Sequence, residues 1–588
     1  MLLAAATASV AAGDTPPAAV RPGALRPGEE RPTSPPEPAG AVFSVPPRLD
    51  RDIVPSEGPK VVVSRFELVG IADHPDLGIS LEQLQALVES KRSAHPEGFT
   101  VGYLEEVSAE VTKYLRSQGL ILAQAFIPVQ DVKDGVVKIE VLEGRLGRVL
   151  AEGNEDYRTG LLQKPFEGAI GQPVTKEQME SKLLTVTDYP GMNVFGVFQP
   201  GQQVGDADLV LKVQDERKFN FRARADNHGV RETGQRRYRL EADVNNVTYA
   251  ADILRLTAQA NSNPRDTFFW RAEYERPLWF DPTYRVNVNF DRNRFDVLGQ
   301  FRDQRLFSDT MNGHIWVEKS ILRGRSENLY AKIDLARKRA QTNARGVPVS
   351  RDNLTSLAFE ANYDGVDARF AGLNFVQVQI THGFNDFLGA MGDQDAVSAA
   401  ATPPSRVAGS GGSREFSTGE FNKAFMSYQR LQALSILHEK LKNQSLLFRF
   451  EGQWTSDVLV PLEQFAIGGP ASVRAYQPTD ALFDRGYFAS LEWIINAPLI
   501  ADKPSPFGNR AWGELLRAHL FYDRAYGSLV KRLPNEDFSN LYQGAGAAVS
   551  FDVPNKFNAT ITIAYPLTEP TPQNGKSPQG WVDFTWFF

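Results

Sequence analysis

The sequence predicts two small α/β domains followed by a large antiparallel β-barrel of the outer-membrane kind, an α+β and all-β chain. Three observations carry this. From Lys218 to Phe588, segment after segment alternates apolar and polar residues with no helical period. The connections between these segments alternate between mostly short and mostly long, as they do in a barrel with tight periplasmic turns and long external loops. Between Lys60 and about Glu216 the grammar differs, and the order β-α-α-β-β occurs twice.

Taken in order, the chain opens with MLLAAATASVAA, an apolar run ending in small residues but without a basic start. Residues 1–14 are therefore expected to be a truncated or misassigned secretory signal peptide. Residues 15–59 carry proline every few positions, with Gly, Glu and Arg between, so an extended or disordered tether is expected rather than a packed core or a helix.

Residues 60–144 form the first expected domain. VVVSRFELVG (Val61–Gly70) reads as a strand, and Leu81, Leu84, Leu87 and Val88 fall at helical spacing after Ser80, a plausible cap. A second helix is expected near Tyr103–Ser117, stopped by Gly119. LILAQAFIPVQDV and GVVKIEVLEG close the domain as two strands around a Lys133-Asp134-Gly135 turn. Residues 145–216 repeat the plan more loosely, from Leu146-Gly147-Arg148-Val149 through a helix around Lys176–Thr185 to the pair NVFGVFQPG and ADLVLKVQD. Both domains are expected to have free edge strands able to accept an extended peptide.

Residues 217–588 contain about 16 strands, the count expected of a mid-sized even-numbered barrel. In Tyr284–Asp291, YRVNVNFD, one face is wholly apolar and the other wholly polar, and LLFRFEGQW (Leu446–Trp454) nearly repeats it. Short turns are expected at TYAAD, YDGVD and DVPNK, with a longer exception at Ile500–Asn509. Long loops are expected at QTNARGVPVSRDN, Asn385–Gly419 and residues 457–486. The chain ends on WVDFTWFF, which sets Val582, Phe584, Trp586 and Phe588 on one face.

Composition excludes several functions. Cysteine is absent from all 588 residues, which removes disulfide frameworks, thiolate zinc sites and cysteine nucleophiles. The apolar runs are too short for a membrane-spanning helix. A net charge of -7 with both signs dispersed leaves no nucleic-acid footprint. Seven scattered histidines offer no HExxH, so no metal site is expected. Asn574-Gly575-Lys576-Ser577 lacks the first glycine of a phosphate loop. Ser410 and Ser413 sit in a Gly-Ser-rich loop, and His519, which shares a strand face with Asp523, reads as barrel lining. No catalytic constellation and no cofactor are expected.

The long loop 457–486 holds GGPASVRAYQPTDALFD (Gly468–Asp484), whose centre is Val473-Arg474-Ala475-Tyr476. An arginine can pair with a carboxylate through its planar fork while an adjacent ring packs on its flank.

These residues resemble a known family. SQGLILAQAFIPVQDVKDGVVKIEVLEGRLGRV resembles the first polypeptide-transport-associated (POTRA) domain of TpsB transporters, the outer-membrane half of two-partner secretion, of the haemolysin-activator type. DYPGMNVFGVFQPG resembles their second POTRA domain and DNHGVRETGQRRYRLEADVNN their first barrel hairpin. Val473-Arg474-Ala475-Tyr476 resembles the family's VRGY loop, and Phe521-Tyr522-Asp523-Arg524-Ala525 its F-x-D-x-G strand, with Ala475 and Ala525 where the family usually has glycine.

The resemblance implies a Gram-negative outer-membrane pore with its POTRA domains in the periplasm. It also implies a loop folded into the lumen so that Arg474 reaches Asp523, a terminal strand bearing Trp586 and Phe588 as the barrel-assembly signal, and a working monomer. A secreted TpsA-type exoprotein would arrive unfolded, dock on the POTRA domains and pass through the barrel without nucleotide hydrolysis. Polar alternates such as Arg285, Asn287, Asn289, Arg449, Glu451 and Arg517 would keep it hydrated. The implied partners are this exoprotein, the barrel-assembly machinery and outer-membrane lipid, with no nucleic acid. The competing readings are an insertase of the barrel-assembly superfamily, whose members generally carry more soluble domains, and a passive porin, which needs none.

Overall fold

A computed structural model describes residues 18–21, 23–24, 27, 43–44, 58–262, 267–408, 415–532 and 538–588. The expected signal segment and the Ser410–Ser413 loop lie outside these residues.

After a two-residue strand β1 (Phe43–Ser44), the first POTRA-like domain comprises β2 (Arg65–Val69), α1 (Leu81–Ala94), α2 (Val101–Ser117), β3 (Gln124–Phe126) and β4 (Val136–Leu142). Ser80 and Thr100 cap the two helices by accepting from the N–H groups of Gln83 and Tyr103. Leu84, Val88, Val111 and Leu115 are fully buried against Phe66, Val137 and Ile139, so the helices cover one face of the sheet β2-β4-β3. Gly119, φ +109°, ends the second helix as expected. The strand expected over LILAQAFIPVQDV is only three residues long, because Pro128, which has no N–H for the ladder, follows two residues after Phe126.

The second domain comprises β5 (Arg145–Glu152), α3 (Thr159–Gln163), α4 (Lys176–Thr187), β6 (Met192–Pro200) and β7 (Asp206–Glu216) around a core of Leu146, Phe166, Met179, Leu183 and Leu209. Its sheet order is β1-β6-β7-β5. The edge of β6, expected to be free, therefore carries the chain's own Phe43–Ser44 as a parallel strand.

The barrel strands are β8 (Phe219–Asp226), β9 (Arg237–Asn245), β10 (Ile253–Asn261), β11 (Thr267–Pro277), β12 (Tyr284–Asp296), β13 (Leu306–Arg323), β14 (Glu327–Ala344), β15 (Val347–Asp367) and β16 (Gly372–Gly383). A short external ribbon of β17 (Val407–Ala408) and β18 (Glu415–Phe416) follows, and then β19 (Phe421–Ala433) and β20 (Gln444–Thr455). The inward loop contributes its own ribbon, β21 (Phe465–Ile467) and β22 (Ala481–Phe483). The barrel ends with β23 (Arg485–Asn496), β24 (Leu516–Ser528), β25 (Ser539–Val553), β26 (Phe557–Pro566) and β27 (Gln579–Phe587). Leaving out the two ribbons, 16 antiparallel strands close into a barrel, with β27 against β8 as the seam. Closure leaves no edge, as a sheet in lipid requires.

Burial runs opposite to that of a soluble sheet. On β12 the apolar Val288 and Phe290 are 49% and 38% exposed, while the alternating Asn287 and Asp291 are buried. The apolar row therefore faces lipid and the polar row the lumen.

Two expectations about connections need correcting. QTNARGVPVSRDN is not a loop: β14 and β15 run on to a two-residue turn in which Arg345 and Gly346 both have positive φ, 49° and 82°. That is the signature of a type I′ hairpin, whose twist matches the strands it joins. YDGVD lies within β15, and the turn there is residues 368–371.

The expected tether is also corrected where it is described. Ala18–Val20 form one 3-10 turn inside the barrel, with Val20 packed on Phe295 and Val297, and Ala18 and Ala24 on Leu482. The carbonyl of Pro27 accepts from Nη2 of the lumen residue Arg239 at 3.0 Å. Local composition favours extended chain here, but apolar surface contributed by distant strands holds these small residues.

Candidate functional site: the inward loop and its latch

The chain between β20 and β23 turns back into the lumen. Gly468 and Gly469, φ +103° and +96°, begin its tip, and a Cβ on Gly468 would come within 2.3 Å of the Gln477 carbonyl oxygen. The paired glycine is thus required by the close approach of the two arms of the tip. The Gly469 N–H donates to the Tyr476 carbonyl and the Tyr476 N–H to the Val473 carbonyl, which sets Arg474 at the apex.

Arg474 is almost fully buried, and Asp523 on β24 wholly so. Its Nε donates to Oδ2 of Asp523 at 2.9 Å and its Nη2 to Oδ1 at 2.8 Å, a two-point fork, while its own main-chain N–H donates to Oδ2 at 3.1 Å. Nη1 donates to Glu492 on β23 and Nη2 also to Oγ of Ser490. The guanidinium lies 3.3 Å from the ring centroid of Phe521, a cation-π contact on the same strand face. The Arg474 carbonyl accepts from the Trp581 indole N–H at 2.7 Å, so β27 holds the tip as well. Arg474 therefore faces two carboxylates in a buried site, with the buried Arg449 paired across the ladder to Ser490, and the desolvation of each charge must be offset by its partners.

The residues around it extend the same network. His519 Nδ1 lies 2.8 Å from Oε1 of Glu492, and its Nε2 is 2.8 Å from Oγ of Ser550. This histidine is wired into the latch through Glu492 rather than through Asp523, a pairing that sequence spacing missed because it crosses strands. Tyr476 is fully buried, donates its hydroxyl to the Thr568 carbonyl at 2.9 Å and packs edge-on against Tyr542. Val473 and Ala475 are fully buried beside it.

The wall is shaped to receive these groups. A Cβ on Gly544 would meet the Ala475 methyl at 2.6 Å, one on Gly546 the Phe521 ring at 2.6 Å, and one on Gly486 the Phe465 ring at 2.7 Å. Ala475 does not have a positive φ, and Ala525 sits in mid-strand opposite Phe488 and Tyr542, so neither position demands glycine. Gly544 and Gly486 gave no signal in the sequence, because Ala475 and Phe465 meet them only when the loop is in place, whereas Gly546 is required by its neighbours in the wall itself, the Ile563 carbonyl and the Phe521 ring.

A second fastening lies nearer the outer mouth. Asp484, wholly buried, accepts from the main-chain N–H groups of Leu459 and Val530 and from Gln464 Nε2, with the Arg406 guanidinium 3.5 Å away. One carboxylate thus joins three external connections.

Trp586 and Phe588 lie at the seam. Trp586 pairs with Ala223 and is 49% exposed, while the Phe588 N–H donates to the Phe221 carbonyl at 2.9 Å and its side chain is 75% exposed. Among the described residues, Asp226, His228 and Asp583 lie close enough to share a cation, but Arg224 and Arg237 already bind both carboxylates, so the set is suited to ion pairing.

On the periplasmic side, Asp188 at the end of α4 accepts from Nε and Nη2 of Arg323 on β13, both at 2.7 Å, and its main-chain carbonyl accepts from Nη2 of Arg285 on β12 at 3.1 Å. Beside this contact a cleft of about 1460 Å³ opens between the POTRA-like domains and the barrel rim, lined by His74, Glu143, Lys182, Thr283 and Arg325 among others.

The family profile of haemolysin secretion/activation protein ShlB/FhaC/HecB matches residues 205–506, and that of the ShlB-type POTRA domain matches residues 76–144. The Heme/hemopexin transporter protein HuxB of Haemophilus influenzae is 22% identical over 479 residues, spanning 79% of this chain and 77% of that protein. The Outer membrane transporter CdiB-2 of Burkholderia pseudomallei is 22% identical over 464 residues, 74% of this chain and 73% of its own length. The solved structure of CdiB from Escherichia coli matches with a TM-score of 0.68 at 19% identity, covering 93% of each chain.

Proposed function

The chain belongs to the haemolysin secretion/activation (ShlB/FhaC/HecB) family of two-partner-secretion transporters of the outer membrane, with its POTRA domains in the periplasm, and on this basis we propose how it moves its partner. It receives one large TpsA-type exoprotein, unfolded, at the POTRA domains and passes it through the barrel to the cell surface. Nucleotide plays no part, and folding of the cargo outside supplies the direction.

The observation that carries this reading is the bore itself, lined by hydrogen-bonding side chains yet filled by a loop whose apex is a single buried arginine. A hydrated wall offers an unfolded chain few apolar footholds. A loop fastened by one ion-pair cluster can leave as a unit when that cluster is broken. Arg474, Asp523, Glu492 and Ser490 are thus the latch, Phe521 and Tyr476 the walls that keep it dry, and Val473, Ala475 and Ala525 the packing that seats it. Trp586 and Phe588 serve as the signal read by the barrel-assembly machinery, and the chain works as a monomer.

Comparing the secreted proteins of cells with and without this chain tests the reading. Loss of one large exoprotein is expected. A general loss of barrels from the outer membrane would instead identify an insertase of the barrel-assembly superfamily.

A further inference from the structure

The lipid-facing wall changes chemistry towards its outer end. On the outward face of β12–β15 the register aligns Val288, Ile315, Leu335 and Leu357 in one row across the four strands. The next row outward holds Arg337, opposite Gly313 and Thr355. Beyond it Arg292 stands across from Met311, Met311 from Arg339, and Arg339 from Asn353. The row after that reads Arg294, Asp309, Gln341 and Arg351. Asn293, Thr310, Ala340 and Asp352, which alternate with these residues, are buried, so the five arginines lie on the outside of the barrel. With strands about 4.8 Å apart and successive rows about 6–7 Å apart, they share a face roughly 15 Å square.

The chain as a whole carries a net charge of -7, yet among these three rows the one carboxylate is Asp309. It accepts from Nε of Arg292 at 2.8 Å and lies 3.6 Å from Arg294. The other three arginines have no carboxylate at ion-pairing distance among the described residues. Arg339 and Arg351 both donate to the side-chain oxygen of Gln341, at 2.8 and 3.0 Å, and Arg337 donates to the carbonyls of Lys338, Leu354 and Gly389. Two cations that converge on one neutral oxygen keep their full charge, which draws an anion from outside the chain.

Beside Arg337 a groove of about 620 Å³ opens on the same wall, lined by Leu335, Leu357, Phe384, Phe387, His382 and Glu420 among others. The segment 384–391 borders it and is held there by the Thr355 hydroxyl, which donates to the Phe387 carbonyl, and by Arg337 at Gly389. Phe387 and Leu388 remain 47% and 59% exposed. A block of cations thus stands directly outside a lipid-facing apolar row, with a mostly apolar groove at its side. That is the complement of an amphiphile carrying several anionic groups.

We propose that the outer face of β12–β15 binds a phosphorylated glycolipid of the outer leaflet, with its phosphates on Arg292, Arg294, Arg337, Arg339 and Arg351 and one acyl chain in the groove beside Phe387. The planar fork of a guanidinium gives a phosphate two parallel donors, which suits arginine to this task. The site lies outside the bore and is independent of how cargo passes.

The test uses the full-length chain purified in detergent and native mass spectrometry, with bisphosphorylated lipid A, its dephosphorylated form, phosphatidylglycerol and inorganic phosphate as separate probes. The parent is expected to hold lipid A at least about tenfold more tightly than the dephosphorylated form or phosphatidylglycerol. Arg339→Gln combined with Arg351→Gln is expected to weaken lipid A by about tenfold or more, while Arg510→Gln on a periplasmic turn leaves it at the parent level. Equal retention of the dephosphorylated form, or an unchanged double variant that keeps the heat-modifiable gel mobility of a folded barrel, would overturn the site. Equal retention of phosphatidylglycerol, or displacement of lipid A by inorganic phosphate, would overturn the glycolipid assignment in favour of a general anion patch. The comparison of lipids on the parent decides the matter even where the double variant fails to fold.

Discussion

Arg474 has five guanidinium N–H donors in a rigid fork, and the site directs them to Asp523, Glu492 and Ser490 while its own carbonyl accepts from Trp581. Removing Arg474 would leave Asp523 and Glu492 buried without their forked partner. Breaking one partner out of a buried pair typically costs about 3–5 kcal/mol. Because the ladder of the barrel does not depend on this pair, the cost should fall on the seating of the loop. Arg474→Ala is therefore expected to yield a folded, membrane-inserted barrel with altered channel conductance and poor export. Arg474→Lys should also be impaired, since an ammonium cannot make the two-point contact. Wild-type conductance and export in Arg474→Ala would show that the loop is seated by other groups. The arginine itself stood out in the sequence by its neighbours. Glu492 and Ser490 did not, because only the register of β23 against β24 brings them to it.

Among the elements, the last strand and the second POTRA-like sheet make separate claims. Strand β27 closes the barrel through pairs such as Trp586 with Ala223, and Phe588 adds a further hydrogen bond to Phe221. Phe588→Ser removes apolar area from the lipid-facing end of that seam. The amount of barrel in membrane fractions should fall while export per inserted molecule stays normal. In the second domain, Asp208 on β7 is buried and accepts from the main-chain N–H of Arg148 at 2.9 Å and from its guanidinium. The Arg148 guanidinium holds the Asp208 carboxyl below its usual range. A carboxyl lowered in the folded state stabilises above its ordinary value and loses that contribution as pH falls through the lowered one. Thermal melts of the parent and Asp208→Asn should therefore differ at pH 7, begin to converge as pH falls below about 4, and meet only below the lowered value.

The elements also show what the sequence could reveal. Strand alternation was readable because lipid outside and polar lumen inside impose opposite demands on successive residues. The β14–β15 hairpin was hidden because Gln341–Asn353 is mostly polar and carries Gly346 and Pro348 at its centre, and so reads as a loop. The 3-10 turn at Ala18–Val20 was hidden because its partners, Phe295, Val297 and Leu482, lie hundreds of residues away.

At the scale of the whole molecule, the proposed function has two POTRA domains and a pore serving one cargo. Deleting Val61–Gly144 removes a domain with its own core and should abolish export while the barrel still reaches the membrane, as outer-membrane fractionation would show. Export at the normal rate by that truncated chain would show that the first domain takes no part in docking. Ala18, Val20, Ala24 and Pro27 bear on a different matter, the history of the molecule. They are enclosed by a sheet whose seam joins β8 to β27. A segment that precedes the barrel in the chain thus lies inside a ring that is closed only when β27 meets β8. Assembly is therefore a question of sequence in time: either the amino-terminal segment is gathered in before the ring is sealed, or it must thread the finished opening, travelling the same route as the cargo.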